Sequence, residues 1–228
     1  MNFDLTPMWI SIKTAVAATV VTFFTGITAA WFVAKYRGRG KSLIDGVLSL
    51  PLVLPPTVVG FFILVVCGKS GPVGKFLNLF DSGIIFTWSA TVVASTVVAF
   101  PLMYRTSRGA FEQIDANLLN AGRTLGVSEL RIFWKIAVPL AWPGIAAGTV
   151  LAFARSLGEF GATLMVAGNI PGKTQTIPLA IFFAAEGGDM RGALIWVIMI
   201  MAISFIVIIA MNYWNAYQRR RPVGGAGI

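Results

Sequence analysis

Histidine is absent from the 228 residues, and cysteine occurs once, at Cys67. The first absence excludes imidazole acid–base catalysis and His-ligated metals. The second excludes an internal disulfide, and a lone cysteine in an apolar run packs as a small hydrophobe. Charge is scarce as well: charged residues make up 12% of the chain, with nine Asp and Glu against eighteen Lys and Arg. A soluble domain carries about 25%. With 57% hydrophobic residues, the chain reads as an integral membrane protein, a single domain over residues 1–228. No polar region of useful size stands outside the apolar stretches. The chain itself is expected to be no catalyst and to hold no metal or cofactor.

Five apolar stretches are long enough to cross a bilayer, at about 9–34, 43–67, 84–104, 139–164 and 193–214. The first, at about 39 Å as a helix, exceeds the roughly 30 Å hydrocarbon core. Lys13 near its start can snorkel outwards. Residues 1–8 carry Asp4 and no Lys or Arg, the wrong start for a cleaved signal peptide. The formal charge of +9 would suit nucleic acid or an anionic membrane surface, and its placement favours orientation in a membrane over a nucleic-acid partner. Lys35, Arg37, Arg39 and Lys41 follow the first stretch. Arg105, Arg108, Arg123, Arg131 and Lys135 lie between the third and fourth, and Arg219, Arg220 and Arg221 follow the fifth. These twelve share one side; only Lys69, Lys75, Lys173 and Arg191 fall on the other. The positive-inside rule then puts the C-terminus in the cytoplasm and the N-terminus outside the cell membrane.

Gly40-Lys41-Ser42 has the ending of a phosphate-binding loop, but the glycine required five residues earlier is replaced by Lys35. It reads as a positive loop with Ser42 as a helix cap. Pro51, Pro55 and Pro56 break the second stretch. Prolines remove backbone donors, and broken helices in a bilayer tend to line cavities, so these three are candidate pathway residues. The alternative is a kink satisfied by neighbouring helices. Arg155 and Glu159 are the only charges in the fourth stretch. Each would cost about 3 kcal/mol at a helix centre, and four residues apart they can pair. With Phe160 they complete the candidate pathway, where Arg155 lowers the barrier for an anion. The alternative is a self-compensating pair near an interface. A short apolar helix is expected after Pro178, inside the loop 167–192.

The segment from about 112 to 138 is the longest that is neither a span nor a short turn. It reads as two short helices hinged at Gly126, which suits a left-handed C-cap. Asp115 can cap the first and Ser128 the second. Leu118, Ala121, Gly122 and Leu125 share one side of the first helix; Leu130, Phe133, Trp134 and Ala137 share a face of the second. Ala121 and Gly122 leave a shallow spot for another protein, and Pro139 stops the second helix or starts the next element. The alternative is an amphipathic loop on its own bundle or on lipid headgroups.

The spacing here resembles the cytoplasmic coupling loop of ABC importer permeases, Glu-Ala-Ala, three residues, Gly, nine residues, Ile, any residue, Leu-Pro. Ala121, Gly126, Ile136 and Pro139 match; Asn120, Gly122 and Val138 stand for the Glu, the second Ala and the Leu. FARSLGEFGAT at 153–163, NIPGKTQTIPLAI at 169–181, LPLVLPPTVVG at 50–60 and GRTLG at 122–126 together resemble the permease subunit of molybdate ABC importers. The Gly-Glu-aromatic-Gly core is shared with sulfate importers. The resemblance implies an all-α, type I ABC importer-like transmembrane domain with five spans and a cytoplasmic two-helix coupling loop. It implies a second permease chain as a homodimer, surrounding lipid, ABC ATPase subunits holding ATP and Mg, and an external molybdate-binding protein. The expected function is ATP-driven import of molybdate, or tungstate, by alternating access. A sulfate or thiosulfate permease is one alternative; an ion-coupled secondary anion transporter using Arg155 and Glu159 is another.

Overall fold

A computed structural model describes residues 4–80 and 82–219, with the side chains of 211, 212 and 214–219 left aside. Eleven α-helices and one π-helical turn make up its regular structure among these residues. Arg220 and Arg221, two of the basic residues expected in the cytoplasm, lie outside the described residues.

The centre of the molecule is three long helices: α1 (Thr6–Lys35), α5 (Trp88–Glu112) and α8 (Val138–Leu157). Small residues let them approach closely. A Cβ on Gly26 would meet Met103 at 2.7 Å, and one on Gly144 would meet Ala110 at 2.5 Å. Ile27, Ala30, Trp31, Met103, Tyr104 and Ile145 fill the shared core. In a bilayer, helices gain from such close packing because lipid is as apolar as leucine. Hydroxyls add to it: Thr14 of α1 bonds Thr91 of α5 at 3.0 Å, and the Trp88 indole donates to Thr14 at 3.0 Å. Lys13 lies over the Trp88 ring at 4.0 Å.

The second apolar stretch is two helices, α2 (Lys41–Val53) and α3 (Pro56–Cys67), bent by 113° at the break. Pro51 lies inside α2, Pro55 caps α3 and Pro56 opens it. Gly40 is the N-cap of α2, so Ser42 sits inside its first turn rather than at the cap. A short helix, α4 (Pro72–Asn78), follows in the loop beyond. The third stretch starts at Trp88 instead of 84, because 84–87 turn sharply, with Phe86 at φ 60° and its N–H on the Val166 carbonyl.

The segment 112–138 holds α6 (Ala116–Thr124) and α7 (Glu129–Ile132). The π-helical turn Phe133–Ala137 joins α7 to α8 without a break. The expected second helix is therefore the start of the fourth span, and Pro139, directly after the π-helical turn, does not stop it: the helix runs on through a residue with no N–H to donate. The fourth stretch also ends early, at Leu157, and resumes as α9 (Gly161–Ala167). The apolar helix expected after Pro178 is α10 (Ile177–Glu186), and α11 (Met190–Arg219) ends the described chain.

By length and apolarity, three helices among the described residues can cross a membrane: Thr6–Lys35, Glu129–Leu157 and Met190–Ala210. The bent pair α2–α3 makes a fourth if it counts as one span. The expected fifth is α5, whose 25 residues suffice in length but do not reach the same apolarity. Of its hydroxyl residues, Thr91, Ser95 and Ser107 are buried in the bundle. A helix enclosed by other helices does not need the apolar surface that lipid demands.

Candidate functional site

Two junctions bring the candidate residues together. In the first, the break between α8 and α9 meets the break between α2 and α3. The contact is made by glycines. A Cβ on Gly161 would meet Pro56 Cβ at 3.2 Å and Thr57 N at 3.3 Å; one on Gly60 would meet Met165 Cβ at 2.8 Å and Ala162 Cα at 2.9 Å. The start of α9, at Gly161, is therefore seated on Pro56. Pro51 lies elsewhere, on α2, lining an apolar groove of about 420 Å³ with Leu50, Phe62, Val66 and Val97.

Glu159 is in this break, not in the span, and is 2% exposed. Its Oε1 accepts from the Ala162 N–H at 2.8 Å, which caps α9. Its Oε2 lies 2.8 Å from Arg155 Nη1, an ion-pair contact without hydrogen-bond alignment. The expected pairing of Arg155 with Glu159 is present, and the side chain of Arg155 remains 30% exposed. Phe160 packs on Phe182 of α10, ring centroids 5.1 Å apart. Beyond α9, residues 168–176 make a compact turn. Thr174 Oγ1 accepts from the Ile170 N–H at 3.0 Å, and the Ile177 N–H donates to Ser11 of α1 at 2.7 Å.

The second junction is the segment 115–137. Asp115 caps α6, accepting from the Asn117 N–H at 2.9 Å, and Gly126 takes φ +72°. Both follow from residue type, a short acceptor at an N-cap and a glycine where L residues are strained. Ser128 is the N-cap of α7 without a side-chain hydrogen bond. The apolar residues divide. Gly122, Ile132, Phe133 and Ala137 are buried, while Leu118, Leu125, Leu130 and Trp134 are 50%, 81%, 70% and 50% exposed. Ala121 is exposed too. Gly122 is not a shallow spot for another protein, because a Cβ there would meet Ile136 Cδ1 at 3.2 Å and Ile132 Cγ1 at 3.4 Å of the same chain. It is the point where α6 rests on the π-helical turn.

Three charges meet at this junction. Glu129 accepts from Arg123 Nε at 2.7 Å through Oε1 and pairs with Lys35, the last residue of α1, through Oε2. Arg123 also donates to Asn120 Oδ1 at 2.7 Å. The two cations hold the Glu129 carboxyl down to about 2, the Arg123 hydrogen bond first and the Lys35 bond second. A second network ties α2 to α5: Arg108 pairs with Asp45 and with Glu112 at 3.1 Å, and Lys41 reaches Glu112 at 3.0 Å. Neither network was among the sequence-derived candidates. Arg123 and Glu129 flanking Gly126 are a readable signal, since a tight turn brings such residues face to face. The partners Lys35 and Asp45 have no local signal.

Residues 23–221 match the family described as binding-protein-dependent transport system inner membrane component. The chain is 44% identical over 204 residues to the putative molybdenum transport system permease protein YvgM of Bacillus subtilis, covering 89% of this chain and 90% of that one. It is 42% identical to the molybdenum transport system permease protein ModB of Escherichia coli K12, covering 94% and 96%. A probable sulfate transport system permease protein of Chlorokybus atmophyticus is 35% identical over 90% of this chain and 71% of that one. Among solved structures, a chain of the MetNI methionine ABC transporter superposes with TM-score 0.71 at 15% identity, covering 92% and 94%. That likeness carries the fold, the transmembrane subunit of a type I ABC importer. With the match running through both junctions, this chain belongs to the binding-protein-dependent transport system inner membrane components.

Proposed function

We propose that this chain is the membrane-spanning subunit of an ATP-driven molybdate importer of the cytoplasmic membrane. The observation that carries the substrate is the 40–44% identity to molybdenum permeases of three bacteria over nine-tenths or more of their length; a sulfate permease, at 35%, stands level with a mycobacterial molybdenum permease. A binding-protein-dependent family argues against an ion-gradient carrier. Separate ATPase subunits hydrolyse the ATP, and an external binding protein delivers the anion.

The exposed face of Leu118, Ala121, Leu125, Leu130 and Trp134 is the docking surface for the ATPase, flanking Asn120 and Gly126. Gly122 and Ile136 support it from within. Closure of the ATPases on ATP moves this segment and opens the pathway outwards; hydrolysis resets it. Two copies of the chain enclose that pathway, and the exposed apolar residues of α11 face lipid. Arg155 lies by the pathway and offsets the charge of a passing oxyanion, with Glu159 holding it in place. Pro51, Pro55 and Pro56 shape the broken helix opposite.

Proteoliposomes holding the permease, its ATPase and its binding protein test this. Labelled molybdate should accumulate with ATP, suppressed by excess tungstate but not by sulfate. Strong competition by sulfate would move the chain to the sulfate branch. In the same assay Ala121→Arg should insert into the membrane yet lose the ATPase. The twelve-to-four basic asymmetry supports five spans with an outer N-terminus. A membrane-impermeant thiol reagent on intact cells should then label Asn2→Cys and spare Ser128→Cys; the reverse pattern would refute that orientation.

A further inference from the structure

Helix α6 has few ties to its own chain. Its ends are a capped turn at Asp115 and the left-handed Gly126, and its face carries exposed Leu118, Ala121 and Leu125. Gly122 rests on Ile132 and Ile136. Leu119 packs on the core cluster of the bundle, and a further tie is electrostatic, from Arg123 to Glu129 at 2.7 Å. Glu129 uses its second oxygen for Lys35, so one carboxylate joins α6, α7 and the end of α1. Lys35 in turn lies over the Trp31 ring at 4.8 Å. Trp31 packs on Phe111 of α5 at 5.3 Å and on Phe133 of the π-helical turn at 5.4 Å. The contacts thus run without a gap from α6 to the aromatic centre of the three-helix bundle.

We propose that Glu129 is a positioning residue of the coupling step, clamping the ATPase-facing helix α6 to the end of α1 so that motion of α6 carries the first span with it. This rests on the reading of α6 as the ATPase contact. The chemistry asks for a carboxylate, because each oxygen takes a different cation. A glutamine keeps the size but offers one acceptor and turns an N–H₂ toward the other cation. Exposed ion pairs contribute little to stability, so the role of this pair is geometric and its loss leaves the fold in place. A contiguous set of contacts does not by itself establish coupling, so the test measures coupling directly.

The complete transporter in proteoliposomes, with labelled molybdate as probe, is assayed for uptake and ATP hydrolysis on the same sample. Glu129→Gln should assemble with the ATPase and show molybdate carried per ATP reduced about five-fold or more. A triple exchange, Lys35→Glu and Arg123→Glu with Glu129→Arg, reverses all three charges and keeps both ties, one forked cation now meeting two carboxylates. Its ratio should recover toward wild type, while Glu129→Arg alone should stay low. A wild-type ratio in Glu129→Gln, or a triple exchange no better than Glu129→Arg alone, overturns the clamp. If the wild-type assembly accumulates no molybdate with ATP, the functional reading falls first and the clamp falls with it.

Discussion

Glu159 and Glu129 each hold a junction between helices, in opposite surroundings. The Glu159 side chain is 1% exposed, meets one arginine and caps α9 with its other oxygen; Glu129 is 52% exposed and meets two cations. At the first junction glycines press backbone on backbone, and at the second a glycine rests on the ends of two isoleucines. Water decides the difference. A buried carboxylate that loses its partners keeps its desolvation cost, whereas an exposed one is rehydrated. The first junction is a fixed staple, and the second is a link that can bear movement.

The largest expected effect comes from stranding Glu159. Removing one partner of a buried pair costs about 3–5 kcal/mol when the charge left behind stays buried, so Arg155→Ala, which leaves the enclosed Glu159 carboxylate without its cation, should cost about 3 kcal/mol. Glu159→Ala removes the buried charge, lets the part-exposed Arg155 rehydrate and loses the α9 cap, a cost of about 0.5–2 kcal/mol. Thermal unfolding in detergent measures both, and Glu159→Ala as the more damaging change would undo the staple.

Next come the glycines. Gly60→Ala should cost about 1–3 kcal/mol, because Met165 and the Ala162 backbone cannot both retreat. Gly122→Ala should be near neutral: Ile136 Cδ1 is the mobile end of a side chain, and alanine favours a helix over glycine by about 0.8–1.0 kcal/mol. Equal destabilisation in the two variants would erase the contrast in packing.

The smallest effect is the titration of Glu129. Its folded value of about 2 lies below the ordinary 4.5, so its contribution is fully present above 4.5 and is lost as the pH falls toward 2. Across that interval the melting temperature of the native chain should fall faster than that of Glu129→Gln. Parallel curves would show that the two cations do not act on Glu129.

Much of this was legible locally. Asp115 and Gly126 mark the ends of α6 because cap chemistry is a property of one or two residues. Arg155 and Glu159 pair because they stand four apart. The break at Pro55 and Pro56 follows from the missing donors. Other points were not legible. Periodicity could not separate α7 from the fourth span, since the π-helical turn carries the same apolar face into α8. The third span reads as apolar from 84, whereas its helix starts at Trp88, because the turn at Phe86 is held by the distant Val166 carbonyl. The outward turn of Leu118, Leu125, Leu130 and Trp134 depends on where α6 lies, which no window of sequence records.

The sequence by itself determined that this is a helical membrane protein, that its second stretch breaks at Pro55 and Pro56, and, through its motifs, the family. Those are consequences of composition and of neighbours within a few residues. Only the tertiary structure decided that Gly122 packs inwards, that Glu159 caps a helix outside the span, and that Lys35 and Glu129 share an ion pair 94 residues apart. Each of these depends on which helices lie side by side, a choice made by close packing between distant segments.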